Sequence, residues 1–386
     1  MTTTINNEHE KNQGRKVLNV PNLRFKEFQG EWEEKRLSEI ADLYKGNGIS
    51  KEQLSDSGEP CILYGELYTK YKSEVISEVV SKTNIDTKKL VRSKANDVII
   101  PCSGETAEDI ATARCVPYND ILLGGDLNII RLQDTDGSFM SYQLNGKRKY
   151  DIAKVAQGVS VVHLYGEYLK GVKTYVPCVE EQKKIAKLLS LIDERIATQS
   201  KVIDKLQSLI KGIAHRISKQ DKPNIRLADC LQCSSSTLQE SDVAEVGLYP
   251  VYGANGIVGY LDTYNTTDEA IYIIKDGSGV GTVSYVNGKC SATGTLNTLQ
   301  AKDGFSLRYL YFMLKVFSFE PYKTGMAIPH IYFKDYGKAK IYCPTYELQN
   351  KYADLLSKIE QKAIVEQKIL DNLCSQKQYL LRQMFI

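Results

Sequence analysis

The sequence predicts an α+β fold: two globular blocks, each mixed but mostly β with short helices, separated by two long helices that form an antiparallel coiled coil. Three observations predict this fold. The second half of the chain repeats the first, a long heptad pattern follows each block, and the blocks consist of short β-branched runs punctuated by Gly, Asn and Asp. We therefore expect an internal repeat with pseudo-two-fold symmetry.

The internal repeat is strongest where each block ends. The segment Gly158-Val-Ser-Val-Val-His163-Leu-Tyr165 aligns with Gly325-Met-Ala-Ile-Pro-His330-Ile-Tyr332, and the same offset holds without a gap to the last residues. Upstream the match is weaker but ordered, and it pairs Leu63-Tyr64-Gly65 with Val251-Tyr252-Gly253. Each half is thus a variable block followed by a better-matched tail.

The matched tails are predicted to be helices that begin after Pro177 and Pro344. Acidic residues in the first turn favour a helix N-terminus, and the 4-3 spacing of apolar residues that follows predicts a coiled-coil seam. Gln199 and Glu366 take the same seam position in both copies, as expected of a polar layer that sets the register. Two amphipathic helices, each packed on its own block, are the alternative. The predicted seam is Ile185, Leu189, Ile192, Ile196, Gln199, Ile203, Leu206, Ile210, Tyr352, Leu356, Ile359, Ala363, Glu366, Leu370 and Leu373.

The direction of the helices follows from a short connection between the first helix, which ends near Ser218, and the second block, which starts near Asn224. In a parallel pair, the second block would have to carry the chain back over about 45 Å, the length of roughly 30 helical residues. An antiparallel pair removes this difficulty and predicts a dumbbell, with one block as a head at each end of the helix pair.

Two similar heads about 45 Å apart suit DNA, whose major-groove faces recur about every 34–36 Å. Because the heads differ in sequence, the expected site is split and non-palindromic.

The predicted domains alternate between blocks and helices. They are an N-terminal segment (1–30), the first block (31–178), the first helix (179–222), the second block (223–345) and the second helix (346–386).

Composition and motifs exclude several other classes of protein. No run of 18 apolar residues and no signal-peptide pattern is present, so we expect a cytoplasmic protein without membrane contact. Nine scattered cysteines fit that compartment, and Cys230 and Cys233 lack the second pair that a zinc site needs. The chain contains no Pro-Pro, which the Asp/Asn-Pro-Pro-aromatic motif of a methyltransferase requires, and no phosphate-binding loop ending in Gly-Lys-Ser/Thr. We therefore expect no catalytic residue, no metal and no cofactor in this chain.

Three motifs connect the chain to a known family. They are the opening from Pro21 to Leu37, the Gly158-Val-Ser160 segment with its counterpart Gly325-Met-Ala327, and the helix start Pro177-Cys-Val-Glu180-Glu181-Gln182. The second helix start departs from the last motif, since Leu348 replaces one acidic residue. With these motifs, nearly the whole chain resembles the specificity subunits of type I restriction–modification enzymes.

This resemblance implies a role and partners. Each block would be a target recognition domain that reads one half of a bipartite site in double-stranded DNA. The helices would space the blocks and dock two modification subunits, which use S-adenosylmethionine to methylate adenine. Restriction subunits would join to form a nuclease that depends on ATP and Mg²⁺. A coiled-coil scaffold for proteins, or the specificity subunit of a related fused system, are the alternatives.

Candidate DNA contacts lie in the Gly-, Ser-, Asn- and Lys-bearing loops of each block, because side chains on such loops can reach base edges. The basic Lys147-Arg148-Lys149 cluster and the loops before His163 and His330 are candidates for phosphate contacts. The two histidines themselves are expected to have structural roles. The candidates are Lys45, Asn47, Ser50, Tyr64, Glu66, Tyr68, Ser103, Glu105, Thr106, Lys147, Arg148, Lys149, Ser160, Ser234, Ser235, Thr237, Tyr252, Asn255, Lys275, Ser278, Lys323 and Thr324.

Overall fold

A computed structural model describes residues 18–158 and 161–386 of the chain. These residues form two compact units. Unit 1 contains the chain up to Thr198 together with Leu370–Ile386, and unit 2 contains Gln199–Ile369. The division differs from the predicted domains because each long helix contributes to both units. Residues 1–17 of the predicted N-terminal segment lie outside the described residues.

Twenty-one short strands lie in the described residues. In unit 1 they are β1 (Glu33–Arg36), β2 (Ala41–Lys45), β3 (Leu54–Ser55), β4 (Glu59–Ile62), β5 (Ser81–Thr83), β6 (Asp97–Pro101), β7 (Ser103–Gly104), β8 (Arg114–Val116), β9 (Leu122–Leu123), β10 (Leu127–Leu132), β11 (Val162–His163) and β12 (Lys173–Val176). In unit 2 they are β13 (Ile225–Arg226), β14 (Leu231–Ser235), β15 (Tyr249–Gly253), β16 (Gly256–Leu261), β17 (Ala270–Ile274), β18 (Val283–Val286), β19 (Ser291–Ala292), β20 (Leu296–Ala301) and β21 (Lys340–Ile341).

Two long helices and nine short ones accompany the strands in the same described residues. The helices are α1 (Leu37–Ile40), α2 (Glu66–Thr69), α3 (Ala107–Ile110), α4 (Gly137–Asn145), α5 (Lys149–Val155), α6 (Gly166–Leu169), α7 (Val179–Ser218), α8 (Leu227–Cys230), α9 (Leu307–Val316), α10 (Phe333–Tyr336) and α11 (Tyr346–Gln383), with single 3-10 turns at Lys51–Gln53, Glu240–Asp242 and Glu320–Tyr322. Across residues 18–158 and 161–386, no helix is both long and apolar enough to span a bilayer.

The central sheet has a corresponding strand order in the two units. Unit 1 has the antiparallel order β2-β10-β6-β8, and unit 2 has β14-β20-β17-β18. A two-stranded ribbon joins the ends of each block, β1 with β12 and β13 with β21. The central strands β6 and β17 are buried along their whole length, which explains their continuous apolar runs.

The smaller sheets correct one detail of the sequence alignment. In unit 1 the parallel partner of Leu123 on β9 is Ile62, and in unit 2 the parallel partner of Ala292 on β19 is Tyr252. Ile62, rather than Tyr64, is therefore the counterpart of Tyr252. The sequence alignment was wrong by two residues, because the Tyr-Gly pair follows β4 in unit 1 but forms the end of β15 in unit 2.

A buried glutamine ties each long helix to its block. In unit 1, the Gln182 side chain donates to the Pro177 carbonyl at 2.8 Å and accepts from the Asp136 backbone N–H, which opens α4, at 2.8 Å. In unit 2, Gln349 makes the same two bonds, to Pro344 and from Ser306, at 2.9 Å each. This shared geometry explains why the Pro-to-Gln spacing repeats in the sequence.

The two long helices run in opposite directions where they meet inside unit 2. The Gln199 side chain donates to the Glu366 carboxylate at 2.6 Å, while Tyr352, earlier on α11, donates to Gln220 just past the end of α7 at 2.7 Å. Every predicted seam residue on both helices is buried or half-buried. Supercoiling of the pair stays a prediction.

Candidate nucleic-acid interface

A pair of neighbouring surface loops recurs in both units. In unit 1, β7 pairs with β11, so that Ser103 lies opposite His163, and His163 exchanges backbone hydrogen bonds with Gln157 at 2.7 and 2.9 Å. In unit 2, Asp276 forms a β-bridge with His330, which in turn pairs with Thr324. The repeat therefore places two sequence-distant loops, both predicted as contact loops, side by side in each unit.

The candidate residues of unit 1 gather around two adjacent grooves. One groove, of about 720 Å³, is lined by Tyr64, Tyr68, Ser103 and Glu105. The other, of about 740 Å³, is lined by Ser50, Tyr64 and Glu66. Tyr64 borders both grooves and is 39% exposed, which makes it the candidate best placed to meet a ligand.

Several unit 1 candidates are already bonded within the fold. Glu66 is buried, and its carboxylate accepts from the Leu63 backbone N–H at 3.0 Å, from Lys70 at 2.7 Å and from the Ser81 hydroxyl. The Asn47 side chain donates to the Lys89 carbonyl at 2.9 Å and accepts from the Val91 backbone N–H at 3.0 Å. These bonds favour structural roles for both residues.

Tyr68 keeps its proton at the edge of the first groove. Burial raises the pKa of its phenol above the usual range, and the hydroxyl donates to the Ser103 carbonyl at 3.0 Å. Thr106 caps α3 by accepting from the Asp109 backbone N–H at 3.0 Å, whereas Lys45 and Glu105 are exposed. Ser160 lies outside the described residues.

The basic cluster divides into two kinds of residue. Arg148 donates to the carbonyl of the last residue, Ile386, at 2.8 Å, pairs with Asp151 at 3.2 Å and lies over the Tyr175 ring. Lys147 and Lys149 are half-buried and line neither groove of unit 1. Arg148 is thus a structural residue, and the two lysines remain candidates for phosphate contacts.

The unit 2 candidates are spread over three segments. Ser234 and Thr237 are exposed, while the Ser235 hydroxyl donates to Asn297 at 3.0 Å. Tyr252 is half-buried, with its ring edge-on to Tyr272, and Asn255 is exposed in the turn between β15 and β16. Tyr252 packs against the buried cluster that contains Tyr272.

The second loop pair of unit 2 carries the remaining candidates. Ser278 is exposed, and the Lys275 carbonyl accepts from the Ile331 backbone N–H at 2.9 Å. Lys323 pairs with Glu320 at 2.5 Å, and Thr324 exchanges backbone bonds with His330. The Lys323 charge is therefore partly neutralised on the protein itself.

Apolar residues at the tip of this loop were missed from the sequence. Met326 is 105% exposed and Ile328 is 67% exposed, and Val161 at the equivalent loop of unit 1 is 53% exposed. Gly325 has φ +88°, which turns the chain outward before Met326. The signal that could have found them is an apolar pair directly after a glycine within a loop.

The described residues offer no group of three or more His, Cys, Asp or Glu placed to hold a metal ion. Cys230 is buried and donates weakly to the Leu227 carbonyl at 3.4 Å, and burial raises the pKa of its thiol to about 12. It is therefore a protonated core residue at neutral pH.

The comparison with protein families decides the identity. The profile described as "Type I restriction modification DNA specificity domain" matches residues 29–208 and 221–374, most of the chain. The chain belongs to the type I restriction–modification specificity family. Recognition of a DNA sequence is the role of this specificity subunit, and such subunits are not themselves catalytic.

Individual relatives agree with this assignment. A candidate type I specificity subunit of Mycoplasma genitalium is 25% identical over 67% of this chain and 73% of its own length. The specificity subunit of the type I restriction enzyme MjaVIII of Methanocaldococcus jannaschii is 26% identical, over 50% of this chain and 44% of its own.

Solved structures share the fold of this specificity subunit. The crystal structure of a type I system S subunit from M. genitalium has a TM-score of 0.66 and 20% identity, and the match covers 95% of this chain and 99% of that one. A chain from a structural study of type I system assembly has a TM-score of 0.53 and 15% identity, with 92% and 97% covered.

Proposed function

We propose that this specificity subunit reads a split, asymmetric DNA site, one half with each unit. The observation that carries the proposal is that two units share one frame and differ in their surface loops. The strand order β2-β10-β6-β8 corresponds to β14-β20-β17-β18. By contrast, the loop after β2, Gly46-Asn-Gly-Ile-Ser50, matches the loop after β14, Ser236-Thr-Leu-Gln-Glu240, at no aligned position. Equal frames with unequal loops suit two different half-sites.

The long helices are proposed to space the two recognition units and to dock two modification subunits. Their outer faces support docking, because Leu209 and Val365 are 48% and 55% exposed on helices that are otherwise amphipathic. Apolar side chains on an outer helix face are typical of an interaction surface. Lys183, Lys184, Lys187, Glu194 and Arg195 are exposed on the part of α7 in unit 1 and are further docking candidates.

Catalysis is proposed to reside in the partners. The modification subunits would bring S-adenosylmethionine for adenine methylation, and restriction subunits would bring ATP and Mg²⁺ for cleavage. This chain would supply the DNA contacts and the spacing, and hold no cofactor of its own.

Mapping N6-methyladenine by single-molecule sequencing tests the proposal. DNA from cells that carry this chain with its modification subunit should show a new motif of two short specific parts around a fixed gap. Exchange of residues 32–176 for the first block of another specificity subunit should change one half of that motif only. A change in both halves would contradict the proposal that each block reads its own half-site. If the complex assembles but produces no new methylation motif, the alternative of a coiled-coil scaffold for proteins would be favoured.

The spacing role has its own test. Insertion of one heptad into both helices at matching positions adds about 10 Å and should lengthen the gap by roughly three base pairs. An unchanged gap in a complex that still methylates DNA would contradict it.

A further inference from the structure

A groove of about 620 Å³ lies inside unit 2, between the outer edge of its central sheet and its portions of the two long helices. Tyr285 of β18 and Arg308 and Tyr311 of α9 form one wall, and Ile210 and Ala363 lie on the helix side. In the described part of unit 2, β18 pairs with β17 along one edge, and no strand or bridge lies along the other. An open strand edge beside a groove can accept an added strand.

The corresponding place in unit 1 is filled by the protein's own chain. Val75 forms a parallel β-bridge with Cys115 on β8. The Cys115 backbone N–H donates to the Glu74 carbonyl at 2.7 Å, and the Ile76 backbone N–H donates to the Cys115 carbonyl at 3.0 Å. The segment 73–76 thus extends the sheet of unit 1 by one short strand.

The two places are equivalent in the repeat. Cys115 pairs with Val98 on the central strand of unit 1, as Tyr285 pairs with Ile271 in unit 2. On the helix side, Asp193 of α7 and Glu360 of α11 hold the same repeat position, and each accepts from a buried tyrosine. Tyr142 donates to Asp193 at 2.7 Å, and Tyr311 donates to Glu360 at 2.8 Å.

The segment in unit 1 is held by charge as well as by backbone bonds. Glu74 is buried, and its carboxylate contacts the Lys377 ammonium, which also pairs with Asp193 at 2.6 Å. Val75 packs between the sheet core and the helix core of unit 1. An acidic residue followed by a β-branched residue is therefore the chemistry that fills this place.

The groove of unit 2 has cations that match such a segment. Arg308, Lys315 and Lys211 line it, against one lining carboxylate, Glu360, which pairs with Arg308 at 2.6 Å and with Lys315 at 3.3 Å. Glu269, which accepts from the Tyr285 hydroxyl, is not among the lining residues. The lining therefore carries more positive than negative charge.

We propose that the groove of unit 2 binds an extended acidic segment of a partner protein, which adds as a parallel strand to β18. The segment takes the place that residues 73–76 take in unit 1, with its carboxylate on Arg308 and Lys315 and an apolar side chain between α9 and the long helices. This surface is independent of the DNA-reading loops, so its test does not depend on DNA recognition.

A fluorescein-labelled peptide with the sequence of residues 71–80 is the probe, and fluorescence anisotropy with the full chain is the measurement. Saturable binding is expected. The Glu74→Gln peptide should bind about tenfold more weakly because it lacks the charge. The Ile76→Pro peptide should lose a similar factor because it lacks the N–H that a strand edge accepts. These peptide variants cannot affect the folding of the protein.

Protein variants locate the site. Lys315→Glu should weaken binding of the unmodified peptide about tenfold or more, while Lys338→Glu, an exposed lysine outside the groove, should leave it unchanged. Equal binding of all three peptides, absence of saturable binding, or equal affinity of the two protein variants would overturn the proposal. A dimer in light scattering that the peptide dissociates would also overturn it, because the occupant would then be a second copy of this chain.

Discussion

The ionic contact of Lys377 with Glu74 and Asp193 holds α11 to both α7 and the first block inside unit 1. The side chains of Lys377, Glu74 and Asp193 are only 13%, 9% and 9% exposed. Replacement by methionine, Lys377→Met, keeps the apolar stem and removes the ammonium. Two buried carboxylates then lose the cation they contact directly, and buried Arg114 is the cation that remains near them.

Lys377→Met should lower the free energy of unfolding by an amount that is large for a single substitution. Removal of one partner from a buried ionic contact destabilises by about 3–5 kcal/mol, because the remaining charge is desolvated and unpaired. With an m-value of about 2 kcal/mol per molar urea, the unfolding midpoint of unit 1 should fall by about 2 M. The same substitution at Lys362, which is 62% exposed beside Glu366, should cost less than about 1 kcal/mol.

The single tryptophan makes unit 1 visible on its own. Trp32 is 2% exposed and packs against Phe139 and Phe385 in the core next to this ionic contact. Urea unfolding followed by tryptophan fluorescence therefore measures the unit that contains Lys377. The double variant Glu74→Gln, Lys377→Met should recover much of the loss, since the buried charges of Asp193 and Arg114 then balance each other.

The pH dependence of the difference between wild type and Lys377→Met has a defined sign. Burial lowers the pKa of Lys377, but Glu74 and Asp193 outweigh burial and raise it above the ordinary value of 10.5. The contribution of the Lys377 charge is then lost as the pH rises above about 10 and through the folded-state pKa. On the acid side the difference declines as Glu74 takes up a proton, since burial raises the pKa of that carboxyl. A midpoint shift no larger than that of Lys362→Met, or one that vanishes near neutral pH, would refute the reasoning.

Three further predictions follow from other contacts. Gln349→Ala should destabilise unit 2 by about 2–4 kcal/mol, because it leaves the Ser306 backbone N–H and the Pro344 carbonyl without partners. Urea unfolding followed by circular dichroism measures this loss, and an unchanged unfolding midpoint would contradict it. Lys147→Ala should lower DNA affinity and reduce the salt dependence of that affinity by about one counterion, measured by fluorescence anisotropy over a KCl series. Arg148→Ala should lower the stability of the protein and leave the salt dependence of DNA binding unchanged. The reverse pattern would assign the phosphate contact to Arg148. An alkylating reagent at about pH 8 should modify exposed Cys178 in the folded protein and leave Cys343 unmodified until urea is added, since burial raises the pKa of Cys343 to about 11. Mass spectrometry of digests measures the alkylation rate of each cysteine, and equal rates for Cys178 and Cys343 in the folded protein would contradict the prediction.

Much of the architecture could be predicted because it depends on the periodic spacing of apolar residues along the chain. The 4-3 pattern after Pro177 and Pro344 predicts helices that the structure has at Val179–Ser218 and Tyr346–Gln383. The α+β class follows in the same way from the short β-branched runs. Family motifs and the repeat also predicted the specificity family correctly, because both are properties of residue order.

The candidate contact residues could be predicted only as loops. Tyr64, Tyr68 and Ser103 line one groove, whereas the candidates Glu66 and Asn47 have their polar atoms bonded within unit 1. Residue type and exposure of a loop do not reveal which side chain turns inward. That depends on partners such as Ser81 or Lys89, which lie elsewhere in the sequence.

By itself, the sequence determined the repeat, the class of each segment and the family, since these depend on the spacing of residues along the chain. Only the tertiary structure decided which distant residues meet: Lys377 with Glu74, Ser103 with His163, and the segment 73–76 with β8. It alone also shows that unit 1 fills with its own chain a place that is an open groove in unit 2. The physical reason is that such contacts depend on shape, burial and charge brought together by folding, and no local pattern encodes them.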